Sequence, residues 1–175
     1  MSNNLEKGYF HIYTGDGKGK TTAAFGLAVR ALCAGKKVYI GQFVKSMKYN
    51  ETKIEQLFDQ VKIEQFGDGC FIFEKPSQTD IDMAQEGLKH CAEILKSNQY
   101  NVVILDEVTI ALYFKLFSTE ELIKVIEDRN PEVEVVVTGR YAPQELIDKA
   151  DLVTEMREVK HYYTQGVLSR EGIDK

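Results

Sequence analysis

Residues 14–22 read TGDGKGKTT, and this stretch decides the fold. Gly15, Gly17 and Gly19 alternate with polar residues and are followed by Lys20 and two threonines. Glycine tolerates positive φ and a close approach of the backbone, so such a loop can turn several N–H groups toward the oxygens of a phosphate chain. The usual pattern has four residues between its first glycine and the final Gly-Lys pair, whereas three separate Gly15 from Gly19. We therefore predict a phosphate-binding loop of shortened form.

The segments on either side of the loop are those that such a motif requires. Residues 9–14, YFHIYT, are rich in aromatic and β-branched residues and predict a strand that runs directly into the loop. Residues 21–35 predict a helix that ends at Gly35 and directs the positive end of its dipole at the loop. The expected buried face of this helix carries four apolar residues, Phe25, Ala28, Val29 and Leu32.

Strands and helices alternate along the rest of the chain, which is typical of a parallel sheet with crossover helices. Residues 70–76 predict a loop. The further predicted strands are 37–43, 61–66, 101–107, 133–139 and 150–156. Helices are predicted at 50–60, at 77–96, after the capping box of Ser118 and Glu121, and within PQELIDK after Arg140. We predict an α/β fold of the P-loop, RecA-like type, in three layers, with a mostly parallel central sheet flanked by helices.

Length and composition fit one domain. The chain has 175 residues, of which 43% are hydrophobic, and a domain of this size buries about two-thirds of its unfolded surface. We expect a single nucleotide-binding domain over residues 1–175. Its last part, residues 157–175, has mixed polarity and predicts an irregular tail that packs over the domain.

Charge, cysteines and hydropathy exclude several other classes. A net charge of −5 argues against a broad nucleic-acid surface, which needs clustered excess Lys and Arg. Cys33, Cys70 and Cys91 stand at unrelated spacings that fit neither a disulfide framework nor a zinc site. The chain shows neither the apolar core of a signal peptide nor a stretch near the roughly 18–20 apolar residues of a membrane span. We therefore expect a cytoplasmic protein with neither nucleic acid nor membrane as a partner.

The loop and one strand end together predict a nucleoside triphosphate site. Lys20, expected to be an exposed loop lysine, places a cation on the phosphates, and Thr21 or Thr22 offers a hydroxyl to Mg²⁺. Asp106 and Glu107 follow the apolar run VVIL, where parallel sheets present ligand sites and Mg²⁺-binding carboxylates. The alternative for this acidic pair is a cap on a neighbouring helix. The residues alone leave open what happens to the nucleotide, because one fold hosts many reactions.

Five segments in order resemble the ATP:corrinoid adenosyltransferases of the P-loop type. That family carries the loop form G-x-G-K-G-K-T-T, and the resemblance covers about residues 8–174. The segments are GDGKGKTT at 15–22, QFVK at 42–45, LDEVT at 105–109, VTGR at 137–140 and VKHYYTQGVLSREGID at 159–174. The resemblance implies transfer of the 5′-deoxyadenosyl group of ATP to the Co(I) of a corrinoid, with release of triphosphate. It also implies that ATP lies reversed in the loop.

The resemblance further implies a set of site residues. The expected catalytic residues are Lys20, Thr21 and Glu107, and the expected Mg²⁺ ligands are Thr21, Asp106 and Glu107. ATP is expected to bind to Gly15, Asp16, Gly17, Lys18, Gly19, Lys20, Thr21, Thr22 and Arg140. Phe71 and Phe73 align with family aromatics beside the corrin, and the alternative places both in the core. Without the resemblance, Lys18 is interpreted as a solvated surface lysine. For Arg140, the alternative to a phosphate contact is a carbonyl at the edge of the sheet.

Partners and competing functions complete the expectations. ATP and a corrinoid are the implied substrates, a homodimer is the implied assembly, and a flavin-type reductase is the implied source of the electron. A RecA-like ATPase or phosphotransferase, in which Glu107 activates water or an acceptor hydroxyl, is the second function class. A corrinoid carrier gated by ATP is the third.

Overall fold

One parallel sheet organises the chain. The structure is a computed structural model that describes residues 7–68 and 75–175. Its strands pair in the order β3-β2-β4-β5-β1-β6, and every neighbouring pair is parallel. The strands are β1 (Phe10–Thr14), β2 (Val38–Phe43), β3 (Val61–Phe66), β4 (Val102–Asp106), β5 (Glu134–Thr138) and β6 (Leu152–Glu155). The predicted mostly parallel sheet is confirmed.

Helices connect the strands, and local sequence explains where several begin. The α-helices are α1 (Lys20–Cys33), α2 (Gln78–Lys96), α3 (Val108–Tyr113), α4 (Thr119–Glu127) and α5 (Gln144–Ile147). Two 3₁₀ helices span Asn50–Gln56 and Tyr162–Gln165. α4 begins with the predicted capping box, in which the Ser118 hydroxyl accepts from the Glu121 N–H and the Glu121 carboxylate accepts from the Ser118 N–H. α1 ends as predicted, because Gly35 follows it at φ 79°.

The helices cover both faces of the sheet and make the predicted three layers. On one face lie α1 and the first 3₁₀ helix, whose buried residues include Ala24, Phe25, Ala28, Leu32 and Ile54. On the other face lie α2, α4 and α5, whose buried residues include Ala84, Leu88, Leu95, Leu122 and Leu146. Both faces of the central strands are therefore buried, which explains the unbroken apolar runs of β4 and β5.

Three details differ from the sequence predictions. Val29 was expected on the buried face of α1 but is 42% exposed, because α1 packs through its small alanines and Val29 falls outside that stripe. The helix predicted at 50–60 is a short 3₁₀ helix, and α3 was not predicted. All four residues of β6 are exposed, and this strand pairs with β1 at an edge of the sheet.

The carboxyl ends of the strands share one edge of the sheet, where a parallel α/β fold binds its ligands. Three non-glycine residues just beyond these ends have positive φ: Val44 after β2 (53°), Glu107 after β4 (58°) and Tyr141 in the loop after β5 (59°). Such backbone is uncommon and concentrates at functional sites. Within residues 7–68 and 75–175, no helix combines the length and the hydrophobicity that crossing a membrane requires.

Candidate active site

The loop between β1 and α1 turns through two glycines. Gly15 has φ 99° and Gly19 has φ 122°, conformations that side chains with a Cβ rarely adopt. A Cβ on Gly15 would stand 2.5 Å from the carbonyl oxygen of Met156. The Gly17 N–H donates to that same oxygen at 2.6 Å. The chain just after β6 therefore supports the loop from outside, and this close approach requires glycine.

Lys20 lies inside the loop. Its ammonium donates to the carbonyl oxygens of Gly15 and Gly17, both at 2.8 Å, and the residue is only 7% exposed. The expectation that Lys20 is an exposed loop lysine is therefore wrong, because the loop curls around its own side chain. Burial, and to a lesser extent the nearby Arg140 guanidinium, lowers the pKa of Lys20, while the Glu107 carboxylate opposes this shift.

Thr21 and Asp106 meet where α1 approaches the end of β4. The Thr21 hydroxyl donates to Asp106 Oδ1 at 2.9 Å, and the Thr138 hydroxyl donates to the same oxygen at 2.7 Å. Gln42 Nε2 donates to Asp106 Oδ2 at 3.0 Å. Asp106 is fully buried, so these bonds hold its carboxylate in one orientation with an oxygen beside the Thr21 hydroxyl.

Glu107 follows at the sharp turn between β4 and α3. Its N–H donates to the Thr138 hydroxyl at 3.0 Å, and the residue lines the cavity of the site. Burial, followed by the charge of Asp106, raises the pKa of the Glu107 carboxyl, whereas Lys45, Lys20 and Arg140 oppose the rise. This carboxyl therefore takes up a proton more readily than an exposed glutamate.

Lys45 was not singled out from the sequence, although it ends the quoted QFVK segment. Its ammonium lies 3.8 Å from Asp106 Oδ2 and 3.7 Å from Glu51 Oε1, and 4.6 Å above the ring of Tyr49. The left-handed backbone of Val44 turns the chain so that Lys45 reaches the carboxylates. The available signal was its position two residues beyond a strand end, because the carboxyl ends of neighbouring strands meet in a parallel sheet.

Lys18 is held by the C-terminal tail. Its ammonium lies 2.7 Å from Asp174 Oδ1 and donates to the Ile173 carbonyl at 3.0 Å. The Asp174 carboxylate also accepts from the Tyr162 hydroxyl and from the N–H and Nε of Arg170. These donors, Lys18 first, lower the pKa of Asp174. The tail thus brings a carboxylate to the phosphate loop.

Arg140 joins the loop after β5 to the phosphate loop. Its Nη2 donates to the Asp16 carbonyl at 3.2 Å, so in this structure its partner is a loop carbonyl. The Thr109 hydroxyl donates to the Arg140 carbonyl at 2.7 Å. Gly139 has φ 134°, and a Cβ there would stand 2.2 Å from Thr109 Oγ1. The Asp16 and Thr22 side chains are exposed at the same rim.

A cavity of about 900 Å³ joins these groups, within the range of small-molecule sites. Residues 17–22 of the phosphate loop line it together with Lys45, Glu107, Arg140 and part of the tail. Gly15, Asp16 and Asp106 are not among the residues that line it. Phe71 and Phe73, the predicted corrinoid contacts, lie outside the described residues. Most of the predicted site residues therefore meet around one space.

The oxygen atoms at the end of β4 suit a magnesium ion. Mg²⁺ prefers oxygen ligands and is commonly held by one or two carboxylates together with substrate phosphates and water. Thr21 Oγ1 and the Asp106 carboxylate provide adjacent oxygens, and Glu107 follows in the chain. Among the residues that the structure describes, no group of three or more His, Cys, Asp or Glu is arranged to hold a metal. These oxygens thus fit a metal ion that takes its remaining ligands from a phosphate chain and from water.

Comparison with known proteins gives consistent matches over nearly the whole chain. Residues 6–174 match the family model described as ATP:corrinoid adenosyltransferase BtuR/CobO/CobP. The chain is 33% identical over 169 residues to the corrinoid adenosyltransferase of Escherichia coli (strain K12), covering 97% of this chain and 86% of that protein. It is 34% identical over 171 residues to the corrinoid adenosyltransferase of Pseudomonas aeruginosa, covering 97% and 84%. It is 33% identical over 169 residues to the corrinoid adenosyltransferase CobA of Salmonella typhimurium, covering 97% and 86%.

Proposed function

Because the chain belongs to the ATP:corrinoid adenosyltransferase family, we propose that its cavity transfers the 5′-deoxyadenosyl group of ATP to the Co(I) of a corrinoid and releases triphosphate. The chain is a transferase, and ATP and a corrinoid are its substrates. The observation that carries the proposal is the family match over residues 6–174 together with a phosphate loop that lines a large cavity.

The reaction makes triphosphate the leaving group. The cobalt of the reduced corrinoid attacks C5′ of the ribose with its electron pair, a cobalt–carbon bond forms, and the C5′–O5′ bond breaks. The electron pair of that bond leaves on the triphosphate, whose negative charge grows as it departs. Groups that bind the departing triphosphate more strongly than intact ATP therefore accelerate the step. No water or hydroxyl has to be deprotonated.

Lys20 and the start of α1 are the groups that we assign to this task. An ammonium has three N–H donors, and the loop carbonyls of Gly15 and Gly17 take two of those of Lys20, so the third can serve a phosphate oxygen. α1 begins at Lys20, and its N-cap residue Gly19 has no side chain to cap it, which leaves backbone N–H groups of the first turn for an anion. Asp16, Lys18, Thr22 and Arg140 complete the proposed ATP contacts.

Thr21, Asp106 and Glu107 are the proposed magnesium ligands. When bound there, Mg²⁺ supplies positive charge to the triphosphate oxygens. The buried hydrogen bonds of Asp106 support this assignment, because they hold the carboxylate beside the Thr21 hydroxyl before any ligand binds. Lys45 lies next to the same carboxylate and can balance its charge. Glu107 is the proposed catalytic carboxylate of the set.

We also propose corrinoid contacts, an assembly and an electron source. Phe71 and Phe73 are proposed to contact the corrinoid and to keep water from the cobalt. We propose that the chain works as one domain, in the cytoplasm and as a homodimer, and that a flavin-type reductase supplies the electron that gives Co(I).

One assay tests the proposed function against its two alternatives. The protein is incubated anaerobically with ATP, Mg²⁺ and chemically reduced cobalamin, and the nucleotide and phosphate products are separated by chromatography. We expect adenosylcobalamin and triphosphate in equal amounts. ADP with phosphate or a phosphorylated acceptor would identify an ATPase or phosphotransferase instead. Tight corrinoid binding without turnover would identify a carrier, and either result overturns the proposal.

A further inference from the structure

An apolar surface lies at the edge of the cavity, beside the loop after β5. It consists of Ile110, Tyr113 and Phe114 at α3 and of Tyr141, and these four residues are called the aromatic wall below. Ile110, Phe114 and Tyr141 line the cavity. The ring centroids of Tyr113 and Tyr141 are 4.5 Å apart at an interplanar angle of 30°, and Tyr113 meets Phe114 at 5.3 Å and 80°. The three aromatic residues of the wall therefore form one continuous set of rings.

The two tyrosines of the wall are open to solvent. Tyr113 is 57% exposed and Tyr141 is 54% exposed, although both are large and mainly apolar. Exposed aromatic rings that touch one another at the mouth of a cavity are typical of a surface that a ligand covers. The charged lining of the cavity comes mainly from the phosphate loop, the residues after β2 and the tail, whereas the four side chains of the wall are uncharged.

The backbone holds Tyr141 in an uncommon conformation. Its φ of 59° lies in the left-handed region, which is an outlier for a bulky residue and persists only where the surroundings impose it. The preceding residue is anchored from two sides: the Thr109 hydroxyl donates to the Arg140 carbonyl, and the Arg140 guanidinium donates to the Asp16 carbonyl. The ring of Tyr141 is thus positioned relative to the phosphate loop by defined contacts.

We propose that Tyr113 and Tyr141 bind the corrin ring of the second substrate. The inference rests on the proposed function and assigns a corrinoid contact within it. A triphosphate seeks cations and N–H groups, which the aromatic wall does not supply, whereas a broad planar macrocycle gains dispersion and apolar burial on flat rings. The corrin must also stand beside the cavity that holds ATP, because its cobalt has to reach C5′. Two adjacent rings offer more surface than a single purine covers.

Equilibrium binding with unreactive partners tests the assignment without turnover. Cob(II)alamin and ATP are titrated separately, by anaerobic calorimetry, into the wild-type chain and into Tyr113→Ala, Tyr141→Ala and the corresponding Phe variants. We expect each Ala variant to weaken cob(II)alamin binding about tenfold, because a stacked ring is lost, while ATP binding changes less than about twofold. The Phe variants keep the ring and should bind like the wild type.

Tyr9→Ala is the matched control. Tyr9 is also a half-exposed tyrosine, but it lies before β1, at the opposite end of the strand from the phosphate loop. We expect wild-type binding of both ligands, and thermal melting of every variant identifies any loss of fold. In turnover assays, Tyr141→Ala should raise the KM for reduced cobalamin and leave kcat within about twofold.

The outcomes separate this inference from the proposed function. Weaker ATP binding with unchanged cob(II)alamin binding would assign the wall to the adenine and overturn the inference. Unchanged binding of both ligands by folded Ala variants would overturn it as well. A wild-type chain that binds cob(II)alamin through the wall but forms no triphosphate would contradict the proposed function and leave the corrinoid contact standing.

Discussion

Two lysines of one loop, Lys18 and Lys20, are held in opposite ways. Lys20 is buried, and its ammonium is bound by loop carbonyls only three and five residues away in the chain. Lys18 has a side chain that is 40% exposed and is bound by the tail, through a carbonyl 155 residues away and the Asp174 carboxylate. The inner lysine is held by local contacts, and the outer lysine by the far end of the chain.

Lys20 is therefore preorganised for a phosphate, whereas Lys18 has to exchange one binding partner for another. The ammonium of Lys20 stays in place when phosphate arrives, because the loop itself keeps it there and little has to reorganise. Lys18 must release or share a carboxylate before it can bind a phosphate oxygen. Asp174 keeps its donors from Tyr162 and Arg170 when Lys18 leaves, so a polyphosphate can displace this ion pair without leaving the carboxylate unpaired. We therefore expect Lys20 to control the rate of the transfer reaction and the Lys18–Asp174 pair to tune the affinity for ATP.

The largest effect is expected for Lys20→Ala, which removes the inner cation. We expect kcat/KM for triphosphate formation to fall roughly 10³-fold, because a preorganised donor to the leaving group is lost. The melting temperature should also fall, since the loop carbonyls of Gly15 and Gly17, the second of them buried, lose their partner. Product chromatography and thermal melting measure both effects. A folded variant with activity within tenfold of the wild type would contradict the assigned role.

Glu107→Gln tests the role of the buried Glu107 carboxyl through activity and through the pH dependence of stability. We expect kcat/KM to fall about 10²-fold, as for other groups that position a metal. Burial raises the pKa of Glu107 above its ordinary value of 4.5, so the folded state binds this proton more tightly than the unfolded chain. Its stabilising effect is fully present below the unfolded pKa and is lost as pH rises through the folded pKa.

The pH dependence is measured as melting temperature against pH with EDTA present. The wild type should lose stability relative to Glu107→Gln as pH rises from about 4.5, because only the wild type has to ionise this buried carboxyl. Parallel curves for the two proteins would show that Glu107 titrates as an ordinary glutamate.

A smaller effect is expected for Lys18→Ala, which removes the outer cation. We expect the KM for ATP to rise about tenfold and kcat to change little, because one charge-assisted contact to the phosphates is lost. Lys149→Ala is the matched control, since Lys149 forms a remote exposed ion pair with Glu127 at the same 2.7 Å. A fall in kcat as large as that of Lys20→Ala would remove the distinction between the two lysines.

The smallest effect is expected for Asp174→Asn, which frees Lys18 from its competing carboxylate. We expect the KM for ATP to fall about two- to threefold at low salt and the difference to shrink as salt is added, because the contact is screened. Glu127→Gln, which breaks the remote pair, should leave the KM unchanged. A rise in KM in Asp174→Asn would mean that the tail carboxylate assists ATP binding.

Much of the fold and of the inner site could be predicted because the signals are local. The glycine loop, the apolar runs of β4 and β5 and the capping box of Ser118 each depend on neighbours within a few residues. Lys45 was missed, because its carboxylate partners come from other segments of the chain. The sequence predicts β6 as a strand but not its exposure, because a strand pattern does not reveal where in the sheet the strand lies or what covers it.

The sequence by itself determined a phosphate loop between a strand and a helix, an acidic pair at a strand end, and an alternation of strands and helices that is typical of a parallel sheet. These follow from glycine conformation, helix capping and hydrophobic periodicity, which act over short distances along the chain. Only the tertiary structure decided that Lys20 is buried, that Asp174 holds Lys18, and that Tyr113 and Tyr141 stack beside the cavity. The last two of these contacts join distant segments, and their geometry exists only once the sheet has brought the segments together, whereas the position of Lys20 depends on how the loop curls around its own side chain.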